Sequence, residues 1–153
     1  MKRQIRNPLR ILAAVLVIAA GVGFTNLRAF ADDDVCSVAT LHGSYGLQTS
    51  GSIVALGPVG LVAEAGIITF DGAGGASQTT TLSLNGLIVP NRSSVSASYT
   101  VNPDCTGDLE VVLPVAGATT TSTSFFVIVD HGKELRLVNT GAGRVLVGNA
   151  RKQ

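Results

Sequence analysis

Residues 95–101 alternate without a break, with Val95, Ala97, Tyr99 and Val101 on one side and Ser96, Ser98 and Thr100 on the other. A period of two fits a half-buried strand and excludes an amphipathic helix, whose apolar residues recur every three or four positions. The pattern returns where Leu109, Val111 and Leu113 are separated by Glu110 and Val112. Between these runs lie Asn102-Pro103-Asp104 and Gly107, a turn composition, so the pair is predicted to form a hairpin. Runs at 43–49, 61–70, 76–84, 123–129, 134–139 and 144–150 read as strands, punctuated by Asp71-Gly72-Ala73-Gly74-Gly75, Asp130-His131-Gly132-Lys133 and Thr140-Gly141-Ala142-Gly143. Gly, Thr, Ser and Val are abundant, and runs of Glu, Lys, Leu and Ala at helical spacing are missing. An all-β domain of about eight strands with short connections favours an antiparallel up-and-down barrel, which removes exposed edges; a two-sheet β-sandwich is the alternative. Pro90 and Pro114 are expected where strands end.

The N-terminus does not share this pattern. Lys2, Arg3, Arg6 and Arg10 precede an apolar or small stretch at 11–24, and Ala29-Phe30-Ala31 places small residues at the −3 and −1 positions of a cleavage site. A membrane span needs about 20 apolar residues, more than this stretch supplies. Residues 1–31 are therefore expected to be a cleaved signal peptide, leaving 32–153 as a single domain that is secreted or periplasmic. No lipoprotein signal is expected, because Asp34-Val35 and not small residues precede Cys36.

Cleavage changes the electrostatics. Residues 32–153 hold six Lys and Arg against ten acids, a formal charge of −4, whereas the whole chain carries +1. The six cations are scattered, which argues against nucleic acid and against an anionic membrane as partner. Export also decides the cysteines. In an oxidising compartment Cys36 and Cys105 are expected to form a disulfide, worth roughly 4 kcal/mol by loop entropy. A metal or redox role fits poorly, since Cys-x-x-Cys spacing is absent and only His42 and His131 could assist. No cofactor or metal is expected.

Sharper motifs are scarce. Asp71-Gly72-Ala73-Gly74-Gly75 has the glycine density of a phosphate loop but lies between strands and lacks the Gly-Lys-Ser/Thr ending, so it reads as a hairpin turn. One Asp-Gly-x-Gly copy offers too few oxygens for calcium. Acyl transfer would need a Gly-x-Ser-x-Gly elbow, which the chain lacks. Glu64 stands out because Leu61, Val62, Ala63, Ala65, Ile67 and Ile68 surround it. Pointing into a barrel, it could act as an acid or orient a ligand; the expectation is that it faces water on the outer face.

Cys36, Leu41, Gly43 and Tyr45, Phe70-Asp71-Gly72-Ala73-Gly74, the block Tyr99-Thr100-Val101-Asn102-Pro103-Asp104-Cys105-Thr106-Gly107 and Gly132-Lys133-Glu134-Leu135 together resemble a group of small secreted bacterial proteins. That resemblance spans nearly all of 32–153; it implies paired cysteines and a barrel, and carries no catalytic residue over. A weaker similarity is to the calycins, including lipocalins, with Gly43-Ser44-Tyr45 in place of Gly-x-Trp and Arg151 as the residue packing on that ring.

Three functional classes follow. A binding module would hold a small apolar ligand among Tyr45, Phe70, Tyr99 and Val127. A barrel enzyme resembling allene oxide cyclase would rest on Glu64. A structural or cell-surface interaction protein would use the Ser/Thr-rich segments 77–81 and 118–124. Interior volume separates the first two from the third, with roughly 300 Å³ as the dividing value.

Overall fold

A computed structural model describes residues 35–55, 59–115 and 117–153. The leader expected over 1–31 and the acidic run at 32–34 lie outside them. The described residues form one antiparallel sheet of nine strands: β1 (His42–Ile53), β2 (Gly60–Asp71), β3 (Ala76–Leu84), β4 (Leu87–Ser93), β5 (Ser96–Val101), β6 (Thr106–Val115), β7 (Ala118–Val129), β8 (Glu134–Asn139) and β9 (Arg144–Lys152). The order across the sheet is β4-β3-β2-β1-β9-β8-β7-β6-β5. It is an up-and-down meander whose first and last strands pair, with Tyr45 opposite Lys152 and Ile53 opposite Arg144. The expected barrel topology is present as a curled, incompletely closed sheet.

The sheet curls because its inward positions carry apolar residues and, at the tightest points, glycine. A Cβ on Gly66 would lie 2.2 Å from the Thr79 carbonyl oxygen, and one on Gly107 would lie 2.4 Å from the Phe126 ring. Neighbouring strands and an aromatic ring occupy the space that a side chain would fill.

The seam lies between β4 and β5, which are consecutive in sequence yet stand at opposite edges of the sheet. It is closed at one end, where Gly75 bridges Ser98 and the Tyr99 N–H donates to the Gly74 carbonyl at 2.8 Å. Towards the other end β4 pairs with β3 alone, and β6 beyond Val112 pairs with β7 alone. Each open edge carries a proline, Pro90 on β4 and Pro114 on β6. A proline offers no N–H to an incoming strand, which blunts both edges against pairing with another chain.

β4 is the strand that the sequence reading missed. Pro90 suggested a strand end, but it lies inside β4 at a bulge. Thr80 pairs with Arg92 and Leu82 with Val89, so Pro90 and Asn91 together face the single residue Thr81, and Asn91 takes φ +50°. The extra residue shifts the side-chain parity and turns Arg92 to the inner face. The signal for β4 was Asn85-Gly86, both at positive φ, as a two-residue hairpin turn requires.

The closed end has a floor. The N-terminal segment makes a single 3₁₀ turn over Val38–Thr40 and places Leu41, fully buried, beneath the barrel. The Cys36–Cys105 disulfide ties this segment to the β5–β6 turn, with 4.9 Å between the Cα atoms. It fits an oxidising compartment, either extracellular or periplasmic. Among the described residues no helix is long and apolar enough to cross a membrane.

Candidate functional site

The interior has two zones. Nearest the floor, Phe70 stands between Tyr45 and Tyr99, with ring centroids 5.3 and 5.0 Å apart in edge-to-face contacts. Phe126, Leu135 and Ile68 complete the zone, all essentially without solvent exposure. Both phenols are satisfied by backbone. The Tyr45 hydroxyl donates to the Gly132 carbonyl at 2.6 Å, and that of Tyr99 lies 2.8 and 3.0 Å from the carbonyls of Val38 and Leu41. Burial pushes both phenols above their ordinary pKa. The turn presenting Gly132 is left-handed at Asp130, His131 and Gly132, and a Cβ on Gly132 would lie 2.8 Å from the Thr40 carbonyl oxygen.

Three of the four residues expected to line a ligand cavity, Tyr45, Phe70 and Tyr99, are thus packed against one another and bolted to the floor. The fourth, Val127, lies elsewhere. It faces outward, 37% exposed, while its neighbours Phe126 and Ile128 take the inward positions of β7. The run at 125–129 is apolar on both faces, so alternation could not choose between them. Arg151 is exposed, and the cation over the Tyr45 ring is Lys152, its Nζ 5.9 Å from the centroid.

The second zone is polar and centres on Glu64. Contrary to the expectation that it faces water, Glu64 shares the inner face of β2 with Val62, Ile68 and Phe70, so the carboxylate points into the barrel. Its Oε1 accepts from the Arg92 guanidinium at 2.5 Å, the Thr80 hydroxyl at 2.5 Å and the Gln78 amide at 3.4 Å; Oε2 accepts from Thr49 at 3.2 Å. The Glu64 and Arg92 side chains are only 11% and 9% exposed. Five residues from four consecutive strands in the sheet therefore meet at one carboxylate. The Arg92 partner was not legible in the sequence, because only the bulge at 90–91 brings it inward. Arg92 Nε is buried and has no hydrogen-bond partner among the described residues.

Beside this cluster is an interior cavity of about 50 Å³, its polar wall formed by Thr49, Glu64, Gln78, Ser122, Ser124 and Asn139. Such a volume holds a few waters. It lies well below the several hundred cubic ångströms of pockets for small organic ligands.

Asp71 at the β2–β3 turn accepts the N–H groups of Ala73 at 2.7 Å and Gly75 at 2.9 Å, which holds its carboxyl below the usual carboxylate range. This glycine-rich segment is an acceptor-capped hairpin turn, with its carboxylate occupying the amides that a phosphate would need. Asp104 is lowered similarly by the Thr106 hydroxyl and N–H. Among the described residues no three potential metal ligands come together. No protein-family model matches the chain, and no curated protein or solved structure is significantly similar to it.

Proposed function

We propose that the protein is a secreted or periplasmic interaction module that works through its outer surface, using the barrel as a rigid, disulfide-tied support. The observation that carries this reading is the filled interior. The aromatic residues that would have lined a ligand site pack on one another, and the cavity beside Glu64 measures about 50 Å³. An apolar ligand of ordinary size would have to displace Phe70 or Phe126 from the core.

Glu64 points inward, as a barrel enzyme would require. However, four donors occupy its two oxygens, and the cavity beside it, about 50 Å³, is smaller than an organic substrate needs. The cluster reads as a polar clamp that joins β1, β2, β3 and β4 where the seam is open. Native mass spectrometry of protein recovered from its own host tests the proposal. The expected mass is that of the bare, oxidised chain; a stoichiometric bound molecule of several hundred daltons would overturn it.

A further inference from the structure

On the outer face of an antiparallel sheet, alternation puts polar side chains towards water. β3 follows this rule with Ser77, Thr79 and Thr81, all exposed. The outer face of β7, β8 and β9 departs from it. Phe125 lies directly opposite Val138, and Val138 opposite Val147, so an apolar row crosses three strands. These side chains are 36, 44 and 60% exposed, and Val127 and Val145, each two residues along its strand from the row, widen it. Five side chains so exposed leave roughly 300–400 Å² of apolar surface, within the range of patches that mark an interaction site. Phe125 is the one exposed aromatic residue among those described, since Tyr45, Phe70, Tyr99 and Phe126 are buried.

The charges beside the row are arranged about Phe125. One strand to one side, Glu110 of β6 stands opposite Thr123; one strand to the other side, Arg136 of β8 stands opposite Val127. Thr123 and Val127 are two residues from Phe125 in opposite directions, so Phe125 is the midpoint between an acid and a base. Both charged residues are exposed. Glu110 makes no ion pair among the described residues. Arg136 directs Nε to Glu134 at 3.3 Å, and its side chain remains 73% exposed.

Resting on the surface role proposed above, we infer that this face joins two copies of the chain about a two-fold axis through Phe125. Such an axis lies in the plane of contact and makes the same patch self-complementary on both copies. Laid across the line from Glu110 to Arg136, it sets Arg136 of each copy against Glu110 of the other, twice, with the Phe125 rings meeting at the centre. An unrelated partner would need no such balance of opposite charges about one aromatic ring. The outer surface of a barrel is convex, so the gap widens away from the axis. Valines fill its centre, and Glu and Arg are long enough to span its margins. The apolar patch is smaller than the roughly 800 Å² that each partner buries in a standard interface, which makes this a weak dimer.

Sedimentation velocity of the mature, oxidised protein from about 1 to 500 μM tests this. The variants are Phe125→Ser, Glu110→Arg, Arg136→Glu and the double reversal Glu110→Arg/Arg136→Glu. Lys133→Glu, which makes the same change of charge as Arg136→Glu but in the β7–β8 connection, is the control. Near-ultraviolet circular dichroism checks each fold, and the reversals of exposed charges carry the test should Phe125→Ser not fold. The dissociation constant should rise at least about tenfold in each single patch variant, return to within about threefold of the parent in the double reversal, and stay unchanged in the control. A monomer throughout the range, a dimer indifferent to a folded Phe125→Ser, or single reversals that the double does not rescue would overturn the inference. A stoichiometric ligand found by mass spectrometry would sink the surface role itself, whereas a monomeric chain sinks only this dimer.

Discussion

The floor and the open end of this barrel are stabilised by different means. At the floor, three aromatic rings pack together, the Tyr45 phenol bonds the Gly132 carbonyl, the Tyr99 phenol bonds the carbonyls of Val38 and Leu41, and a disulfide ties down the segment that carries the buried Leu41. At the open end the same sheet has an unclosed seam, a buried ion pair and a rim of exposed aliphatic side chains. One end is closed by packing that buries Leu41, Tyr45, Phe70 and Phe126 almost completely. The other leaves aliphatic side chains such as Leu61 and Leu87 exposed, although hydrogen bonds from Leu61 N–H to Asn85 and from Val54 N–H to Gly143 link its loops.

The contrast is tested most severely by truncating equivalent bulk at each end. Phe70→Ala removes the ring shared by Tyr45 and Tyr99 and should destabilise the fold by about 3–5 kcal/mol. Leu61→Ala, on the outer face of the same strand, should change stability by no more than about 0.5 kcal/mol. Equilibrium denaturation in urea measures both. Equal losses would show that the open end is as tightly packed as the floor.

Reduction of Cys36–Cys105 probes the floor alone. It reopens a loop of 69 residues and should cost about 2–4 kcal/mol, read as a shift in the urea midpoint with and without dithiothreitol. The 3₁₀ turn is the element then expected to loosen first. Faster hydrogen exchange at Thr40 and Leu41 N–H, without a matching change at Val54, would localise the effect.

These two ends were not equally legible in the sequence. The floor was written in residue types with few alternatives: two cysteines in an exported chain, tyrosines and Phe70 at inward parity, and turns marked by Asp, Asn and Gly. The open end depended on parity that the sequence leaves ambiguous. Positions 61–68 are apolar on both sides of β2, so nothing local told whether Glu64 faced in or out. The parity of Phe70 and Ile68, carried back two residues at a time, gives the inward answer. Arg92 was hidden for a different reason, since its orientation depends on an inserted residue at a proline that looked like a strand end.

The ion pair at the open end supplies a smaller test. Arg92→Met leaves Glu64 with three neutral donors, so the loss should fall to about 2–3 kcal/mol, below the 3–5 kcal/mol of a fully stranded buried charge. Pairing it with Glu64→Leu should recover most of that loss, because an apolar pair needs no desolvated counter-charge. A double variant no more stable than Arg92→Met would mean that the cluster supports the seam through its hydrogen bonds and not through charge balance.

The mildest probe is acid, and it too should act on the floor. The carboxyls of Asp71 and Asp104 are both held below the ordinary range by hydrogen bonds that exist only in the folded chain. A group whose folded pKa is depressed contributes stability above its unfolded pKa, near 4, and loses that contribution as pH falls through the folded value. Thermal midpoints should therefore decline between about pH 5 and pH 2.5. Asp71→Asn keeps an oxygen to accept the Ala73 and Gly75 N–H groups but cannot titrate, and Asp104→Asn does the same for Thr106. The double variant should lose part of the acid decline while its midpoint near neutrality changes little. An unchanged acid slope would show that these two hydrogen-bonded turns at the floor do not set the acid sensitivity of the fold.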